Sequence, residues 1–145
     1  MPSITVPQEY GYVLAAATAS VFQLFWMGVQ VGRARGKAKI PYPYVYAERA
    51  EAEKDHFKNV FNCVQRIHQN TLEVFPPFIV TLLVGGIYHP FLSSAAACVY
   101  ILGRFVYSYN YSSGIPIKRT RGGFGILGLV ILFGTAISTL YHILQ

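Results

Sequence analysis

The sequence predicts an all-α integral membrane protein whose helices form a four-helix bundle. Hydrophobic residues make up 53% of its 145 residues and charged residues only 12%, whereas a soluble domain is about a quarter charged. The mean hydropathy is +0.37, and the apolar residues fall in long runs that carry no formal charge. Too few charges remain to cover a water-facing surface, which argues against a disordered chain, a coiled coil or a disulfide-stapled domain.

The positions of the charge-free runs predict the individual helices, because a membrane-spanning helix needs about 20 mostly apolar residues. A first run begins at Tyr10. The run between Val74 and Gly103 is too long for one helix, and the turn at His89-Pro90 divides it in two. A last run ends the chain. The predicted helices cover residues 8–33, 57–87, 91–112 and 121–144 of a single domain, residues 1–145.

The first helix is predicted to span the membrane in the mature protein and not to be a cleaved signal peptide. It lacks a preceding basic segment, follows Glu9 and is longer than the apolar core of a signal peptide. The two cysteines, Cys63 and Cys98, lie far apart in apolar surroundings and match no zinc or redox spacing. We therefore expect no metal site.

The distribution of charge predicts how the helices cross the membrane. Basic residues are concentrated between helices one and two and between helices three and four. They are Arg33, Arg35, Lys37, Lys39, Arg49, Lys54, Lys58, Lys118, Arg119 and Arg121. By the positive-inside rule, both segments face the cytosol and both termini lie across the membrane. Acidic residues at helical spacing from the first group of bases predict a solvated extension of helix two. They are Glu48, Glu51, Glu53 and Asp55.

Charged and polar residues also occur at membrane depth, in two stripes. The stripe on helix two has the spacing i, i+4, i+7 and consists of Arg66, Asn70 and Glu73. The stripe on helix three has the spacing i, i+3, i+7 and consists of Arg104, Tyr107 and Tyr111. Helix one ends close to Arg35. Polar groups from three helices therefore reach a similar depth on the side of the basic segments.

These polar stripes have two interpretations, because charges at membrane depth are costly and usually face protein or a water-filled cavity. In the first, Arg66 and Glu73 form a structural network that only holds the helices together. In the second, the stripes form a binding site, since several arginines face one carboxylate and the excess charge attracts an anionic guest or lipid headgroup. Arginine suits a carboxylate guest because its planar fork donates two parallel hydrogen bonds. Pro76-Pro77 predict a kink beside the stripe, which either widens a pocket or is absorbed by neighbouring helices.

Two longer stretches resemble the MAPEG family, the membrane-associated proteins of eicosanoid and glutathione metabolism. They are FNCVQRIHQNTLEVFPPFIV, residues 61–80, and GRFVYSYNYSSGIPIKRTRG, residues 103–122. The shorter runs EYGYVL, VGRARGKAKI and VGGIYHP extend the resemblance over nearly the whole chain. The pattern RxxxNxxE followed by proline, together with RxxYxxxY, makes the resemblance specific.

The resemblance implies a homotrimer that binds glutathione, as co-substrate, between adjacent subunits near the cytosolic face of the membrane. The glutathione contacts that carry over are Arg35, Arg66, Asn70, Glu73, Arg104, Tyr107 and Tyr111. Members of the family also use an arginine that activates the thiol of glutathione. The candidates here are Lys118, Arg119 and Arg121, of which we favour Arg119 as the catalytic residue.

The resemblance further implies a glutathione transferase or glutathione peroxidase, with leukotriene C4 synthase activity as one form of it. The thiolate of glutathione would attack a lipophilic electrophile such as a leukotriene A4-like epoxide, or reduce a lipid hydroperoxide. The alternative is a non-catalytic lipid-binding member of the family, which the retention of Arg66, Asn70 and Glu73 disfavours.

The same resemblance predicts the surroundings of the protein. We expect membrane lipid, a lipophilic substrate and further copies of the chain as partners, and no nucleic acid. The expected location is the endoplasmic reticulum membrane, with the nuclear envelope or the mitochondrial outer membrane as alternatives. A small four-helix multidrug transporter is disfavoured, because such proteins carry an essential carboxylate in helix one and none occurs there.

Overall fold

The computed structural model describes residues 7–145 and confirms the predicted all-α fold class. Its helices are α1 (Tyr10–Ala38), α2 (Arg49–Ala52), α3 (His56–Tyr88), α4 (Pro90–Tyr111) and α5 (Gly125–Leu144), with a 3-10 turn at Pro116–Gly122 between α4 and α5. Four of them, α1, α3, α4 and α5, are long and apolar enough to cross a membrane. The prolines Pro76 and Pro77 lie within α3, which continues through both of them.

Helix α1 ends later than expected, at Ala38 and not at residue 33. The charges of Arg33 and Lys37 end the apolar run, but they do not end the helix, because arginine and lysine are good helix formers. Basic residues in the last turn also interact favourably with the negative end of the helix dipole. The chain leaves the helix at Lys39, whose φ of 53° is left-handed and whose N–H faces the carbonyl oxygens of Arg35 and Gly36.

The acidic segment before α3 is not the continuous helical extension that the sequence predicts. Asp55 has an extended backbone, and its Oδ1 accepts a hydrogen bond of 2.8 Å from the backbone N–H of Phe57. An aspartate in this position caps the first turn, so α3 begins at His56. The preceding residues form the separate one-turn helix α2. The expected charge pairing is present in part, as 2.7 Å between Arg49 and Glu53.

The α3–α4 pair stands between α1 and α5, since each of the outer helices packs against both members of the pair. The core between them contains the fully buried side chains of Val13, Phe78, Leu82 and Leu132. Phe78 stacks on Tyr100 with the ring centroids 4.4 Å apart. This packing holds α3 and α4 side by side, so that their polar stripes face one another.

Glycines allow α4 and α5 to approach closely. A Cβ on Gly125 would lie 3.1 Å from the Cα of Gly103, and a Cβ on Gly128 would lie 2.8 Å from the backbone nitrogen of Tyr100. Small residues at helix contacts are typical of membrane bundles, in which van der Waals packing drives association. The close approach fixes the start of α5, which begins at Gly125 and not at residue 121 because residues 116–122 form the 3-10 turn.

Candidate functional site

The polar stripe of α3 forms an ion pair at the surface of the subunit. Arg66 Nη1 donates a hydrogen bond of 2.9 Å to Glu73 Oε1, two turns farther along the helix. The two side chains are 42% and 48% exposed, so neither is buried within one subunit. Asn70 lies between them on the same face and points its amide oxygen towards α4. The pair is therefore accessible to a ligand or to a second subunit.

Arg104 of α4 is partly buried and connects the two stripes. Its Nη1 donates to Asn70 Oδ1 at 3.1 Å, and its Nη2 donates to the Thr71 hydroxyl and, at 3.5 Å, to the Ile67 carbonyl. Its guanidinium lies over the Tyr107 ring, 4.2 Å from the centroid. Arg104 thus binds α4 to α3, and of its nitrogen atoms only Nε lacks a partner within residues 7–145.

The two tyrosines of the α4 stripe lead from Arg104 to the loop that follows the helix. Tyr107 and Tyr111 pack edge to face, with ring centroids 5.6 Å apart. The guanidinium of Arg119, in the 3-10 turn, lies 5.9 Å from the centroid of the Tyr111 ring. We refer to the connected group as the arginine–tyrosine cluster: Arg66, Asn70, Glu73, Arg104, Tyr107, Tyr111 and Arg119.

The local structure of the loop explains how Arg119 reaches the cluster. Gly114 adopts a φ of 78°, a left-handed conformation that favours glycine, and its carbonyl accepts a hydrogen bond of 2.9 Å from Asn59 on α3. The loop therefore turns back onto the bundle. Gly122 packs against the backbone of Tyr107, where a Cβ would come within 2.6 Å of the Tyr107 nitrogen. The 3-10 turn between these two anchors carries Arg119.

The neighbouring cations of the loop are placed differently. Arg121 Nη1 donates to Asn110 Oδ1 at 3.0 Å, a side chain outside the cluster. Lys118 makes no side-chain hydrogen bond or ion pair within the described residues 7–145. Of the three candidates for a thiol-activating residue, Arg119 is the one whose guanidinium lies near a ring of the cluster, and its catalytic role stays a prediction.

Arg35 is not part of the cluster within one subunit. Its Nη1 donates to the Tyr44 carbonyl at 2.6 Å, and its guanidinium lies over the rings of Tyr42 and Phe61, at 4.4 Å and 4.9 Å. These contacts fold the segment after α1 back onto α3. A role for Arg35 in binding glutathione stays a prediction.

Sequence reasoning missed two side chains at the border of the cluster, those of Tyr46 and Thr71. The Tyr46 hydroxyl donates a hydrogen bond to Gln69 Oε1, beside Arg66. Burial raises the pKa of the Tyr46 phenol, and the charge of Arg66 opposes this in part, so that the hydroxyl keeps its proton at neutral pH. No periodic pattern marks Tyr46, which lies in an irregular segment. Thr71 follows Asn70 directly, and its contact with Arg104 depends on how α4 packs.

The cluster combines an excess of positive charge with accessible donors. The cluster has three arginines and one carboxylate, and two of the arginines, Arg66 and Arg119, are open to solvent. Such a surface can hold an anion that carries carboxylates, because the guanidinium forks match carboxylate geometry. Within residues 7–145, no group of His, Cys, Asp and Glu side chains is arranged to hold a metal ion.

Comparison with known proteins agrees with the resemblance noted from the sequence. The sequence profile of the MAPEG family matches residues 13–141. Microsomal glutathione S-transferase 2 from Homo sapiens is 34% identical over 123 residues, which cover 83% of this chain and 77% of the relative. The Bos taurus protein of the same name is 31% identical over 124 residues with the same coverage. Both the extent of the match and the level of identity show that the chain belongs to the MAPEG family.

Proposed function

We propose that the protein is a membrane glutathione transferase that binds glutathione at the arginine–tyrosine cluster and activates its thiol. The observation that carries the proposal is the cluster itself, which contains three arginines and two tyrosines but a single carboxylate, that of Glu73, paired with Arg66. The similarity to proteins named microsomal glutathione S-transferase 2 supports the same activity.

The charges of glutathione match those of the cluster. Glutathione carries two carboxylates and one ammonium group at neutral pH. The carboxylates suit Arg66 and a second arginine, and Glu73 suits the ammonium group while it remains paired with Arg66. Asn70 and Arg104 hydrogen-bond to one another, which fixes the position of both side chains beside the proposed ligand. Tyr107 and Tyr111 line the path from there to Arg119.

Activation of the thiol requires positive charge near the sulfur. A free thiol has a pKa of about 8.5 and is only a few per cent thiolate near neutral pH. The guanidinium of Arg119 stays charged at any physiological pH and would favour the thiolate. Lowering the thiol pKa by about 2 units corresponds to about 2.7 kcal/mol of stabilisation. We assign this role to Arg119 because it lies over the Tyr111 ring at the exposed end of the cluster.

The thiolate then reacts with an electrophile that is dissolved in the membrane. With an epoxide, the sulfur forms a bond to carbon, the carbon–oxygen bond breaks, and the alkoxide takes a proton. With a lipid hydroperoxide, the sulfur attacks the terminal oxygen and the oxygen–oxygen bond breaks, which gives an alcohol and a sulfenic acid. A second glutathione converts the sulfenic acid to a disulfide and water. The protein contributes position and positive charge, and glutathione contributes the nucleophile.

Two differences between this chain and leukotriene C4 synthase bear on the choice of lipid substrate. The runs EYGYVL, VGRARGKAKI and VGGIYHP resemble microsomal glutathione S-transferase 3, a relative of leukotriene C4 synthase. Leukotriene C4 synthase has a second arginine where this chain has Gly36 and a tyrosine where it has Val74. We therefore propose general conjugation and peroxidase activity ahead of leukotriene C4 synthesis. The alternative is a lipid-binding protein similar to the five-lipoxygenase-activating protein, which lacks the glutathione chemistry.

We propose a homotrimer in the endoplasmic reticulum membrane as the active form. The position of Arg35 supports assembly, because this partly buried arginine contacts Tyr44, Tyr42 and Phe61 and has no contact with the cluster among residues 7–145. The half-exposed Arg66–Glu73 pair offers a matching surface on the neighbouring copy.

Purified protein in mild detergent provides the test of the function. We expect calorimetry to detect glutathione binding, and we expect glutathione consumption with cumene hydroperoxide and with a lipophilic aryl halide. Binding without turnover of either substrate would favour the lipid-binding alternative. Failure to bind glutathione at all would contradict the proposal.

A further inference from the structure

A cavity separate from the arginine–tyrosine cluster lies between α1, α3 and α4. Its volume is about 520 Å³, within the range of about 300–1,000 Å³ that is typical of small-molecule sites. The floor is apolar and includes the buried side chains of Met27 and Ile67. Trp26 stands at the inner end and stacks on Phe105 of α4, with the ring centroids 6.0 Å apart.

The outer end of the cavity is positively charged. Arg33 and Lys37 lie one turn apart on α1 and both line the wall, whereas no acidic residue among residues 7–145 does so. None of the ion pairs of the described residues involves either of them. Their charges therefore remain available to an anion.

The cavity is elongated along α1 and charged at one end only. The wall residues of α1 extend from Trp26 to Lys37, which spans about 16 Å at the helical rise of 1.5 Å per residue. The apolar end points into the membrane-spanning part of α1, and the basic end lies where the apolar run stops. This shape and charge fit a single hydrocarbon chain with one anionic head at the membrane surface.

The cavity and the cluster are lined by different side chains of α3 and α4. Ile67 and Val64 line the cavity on α3, and Ser108 and Ser112 line it on α4. Met27 and Ile67 of the cavity floor pack with Cys63 and with Tyr111 of the cluster in one buried group. A ligand in the cavity is thus separated from the proposed glutathione site by packed side chains.

We propose that this cavity binds a long-chain fatty acid, with its carboxylate on Arg33 and Lys37 and its chain along Met27 and Ile67 towards Trp26. The carboxylate matches the fork of Arg33, and Lys37 adds a second positive charge one turn farther along α1. The length and the single charged end favour one acyl chain over a two-chain phospholipid. This proposal stands independently of glutathione chemistry.

The test uses the full-length protein in nanodiscs of phosphatidylcholine and a palmitate analogue that carries a photoreactive diazirine. We expect labelling of peptides from α1 and α4 at the cavity, and competition by oleate but not by oleyl alcohol, which lacks the charge. The double variant Arg33→Gln/Lys37→Gln should weaken oleate binding at least tenfold. Gln30→Trp, which fills the cavity from α1 and keeps both cations, should also abolish labelling.

The matched control is Lys39→Gln/Lys54→Gln, which removes the same charge from residues that do not line the cavity. Unchanged labelling in this control, with glutathione binding retained in every variant, would support a specific site in a folded protein. If oleate binding weakened equally in the control, the basic segments would attract the anion without a specific site, and the proposal would be overturned. Displacement of the probe by phosphatidylglycerol but not by oleate would overturn the fatty acid as occupant.

Discussion

Arg104 and Arg119 each lie over a tyrosine on the same face of α4, but they differ in solvent exposure and in hydrogen bonding. Arg104 is mostly buried, and its terminal nitrogens bond to Asn70, Thr71 and the Ile67 carbonyl. Arg119 is exposed, and its guanidinium contacts the Tyr111 ring from the solvent side. This difference indicates that the two arginines have different roles, although the sequence alone places both in one group of candidate site residues. The inner arginine joins α3 to α4, whereas the outer one is the residue to which we assign activation of the thiol.

The largest expected effect belongs to the outer arginine. Arg119→Ala should lower the rate of glutathione conjugation by about 10²-fold, the scale of removing one preorganised electrostatic group. Glutathione affinity should change little, since the carboxylate contacts lie elsewhere in the cluster. Steady-state kinetics and calorimetry measure the two effects. Lys118→Ala is the matched control and should keep the rate, and a rate loss confined to Lys118→Ala would transfer the role to that residue.

The inner arginine should affect stability more than chemistry. Arg104→Ala leaves Asn70 Oδ1 and the Thr71 hydroxyl without their donor, and each unsatisfied buried group costs about 1–3 kcal/mol. We expect a clear drop in the thermal midpoint, measured in a Cys98→Ser background by the reaction of the buried Cys63 with a thiol probe on heating, since Cys98 is exposed in the folded protein. Arg119→Ala provides the comparison and should melt like the unaltered protein. Equal midpoints for both variants would remove the distinction between the inner and outer arginines.

Arg66 should show a smaller effect on binding and almost none on stability. The Arg66–Glu73 pair is about half exposed, so its loss should cost only about 0–1 kcal/mol of stability. Arg66→Ala should nevertheless weaken glutathione binding about tenfold, because it removes one charged partner of a carboxylate. Calorimetry on the folded variant tests this. An unchanged affinity for glutathione would indicate that the Arg66–Glu73 pair has only a structural role.

The smallest effect is expected from Arg35, and it should depend on assembly. Arg35→Ala should weaken glutathione binding about threefold to tenfold, the scale of one hydrogen bond. Trimers mixed from Arg35→Ala chains and Arg66→Ala chains would contain some sites with both arginines intact if the site lies between subunits. Calorimetry should then detect a fraction of tight sites. No tight sites in the mixed trimers would contradict a shared site.

The sequence predicts the bundle and most of the cluster, because both depend on local periodicity. The charge-free runs define the four long helices, and the spacing within each stripe places Arg66 beside Glu73 on one face of α3. The cap at Asp55 and the late end of α1 were not predicted. A change from apolar to charged residues indicates where a helix leaves the membrane, and helical hydrogen bonding can continue beyond that point.

Several side-chain contacts between different helices and loops could not be predicted from the sequence. The hydrogen bond from Arg104 to Thr71 depends on how α3 and α4 pack. The position of Arg119 also depends on the close approach of Gly122 to Tyr107. Tyr46, which donates a hydrogen bond to Gln69, lies in an irregular segment without a periodic pattern of apolar residues. Each of these contacts joins residues distant in sequence, and a single sequence contains no signal for them.

The formation of a thiolate on binding tests the central claim most directly. Glutathione is mixed with the purified protein near neutral pH, and the ultraviolet thiolate absorption and the release of protons are recorded together. The account predicts a thiolate band and a released proton for each glutathione bound, with neither signal from S-methylglutathione and neither in Arg119→Ala. Glutathione binding with no thiolate band and no proton release in the unaltered protein would contradict it.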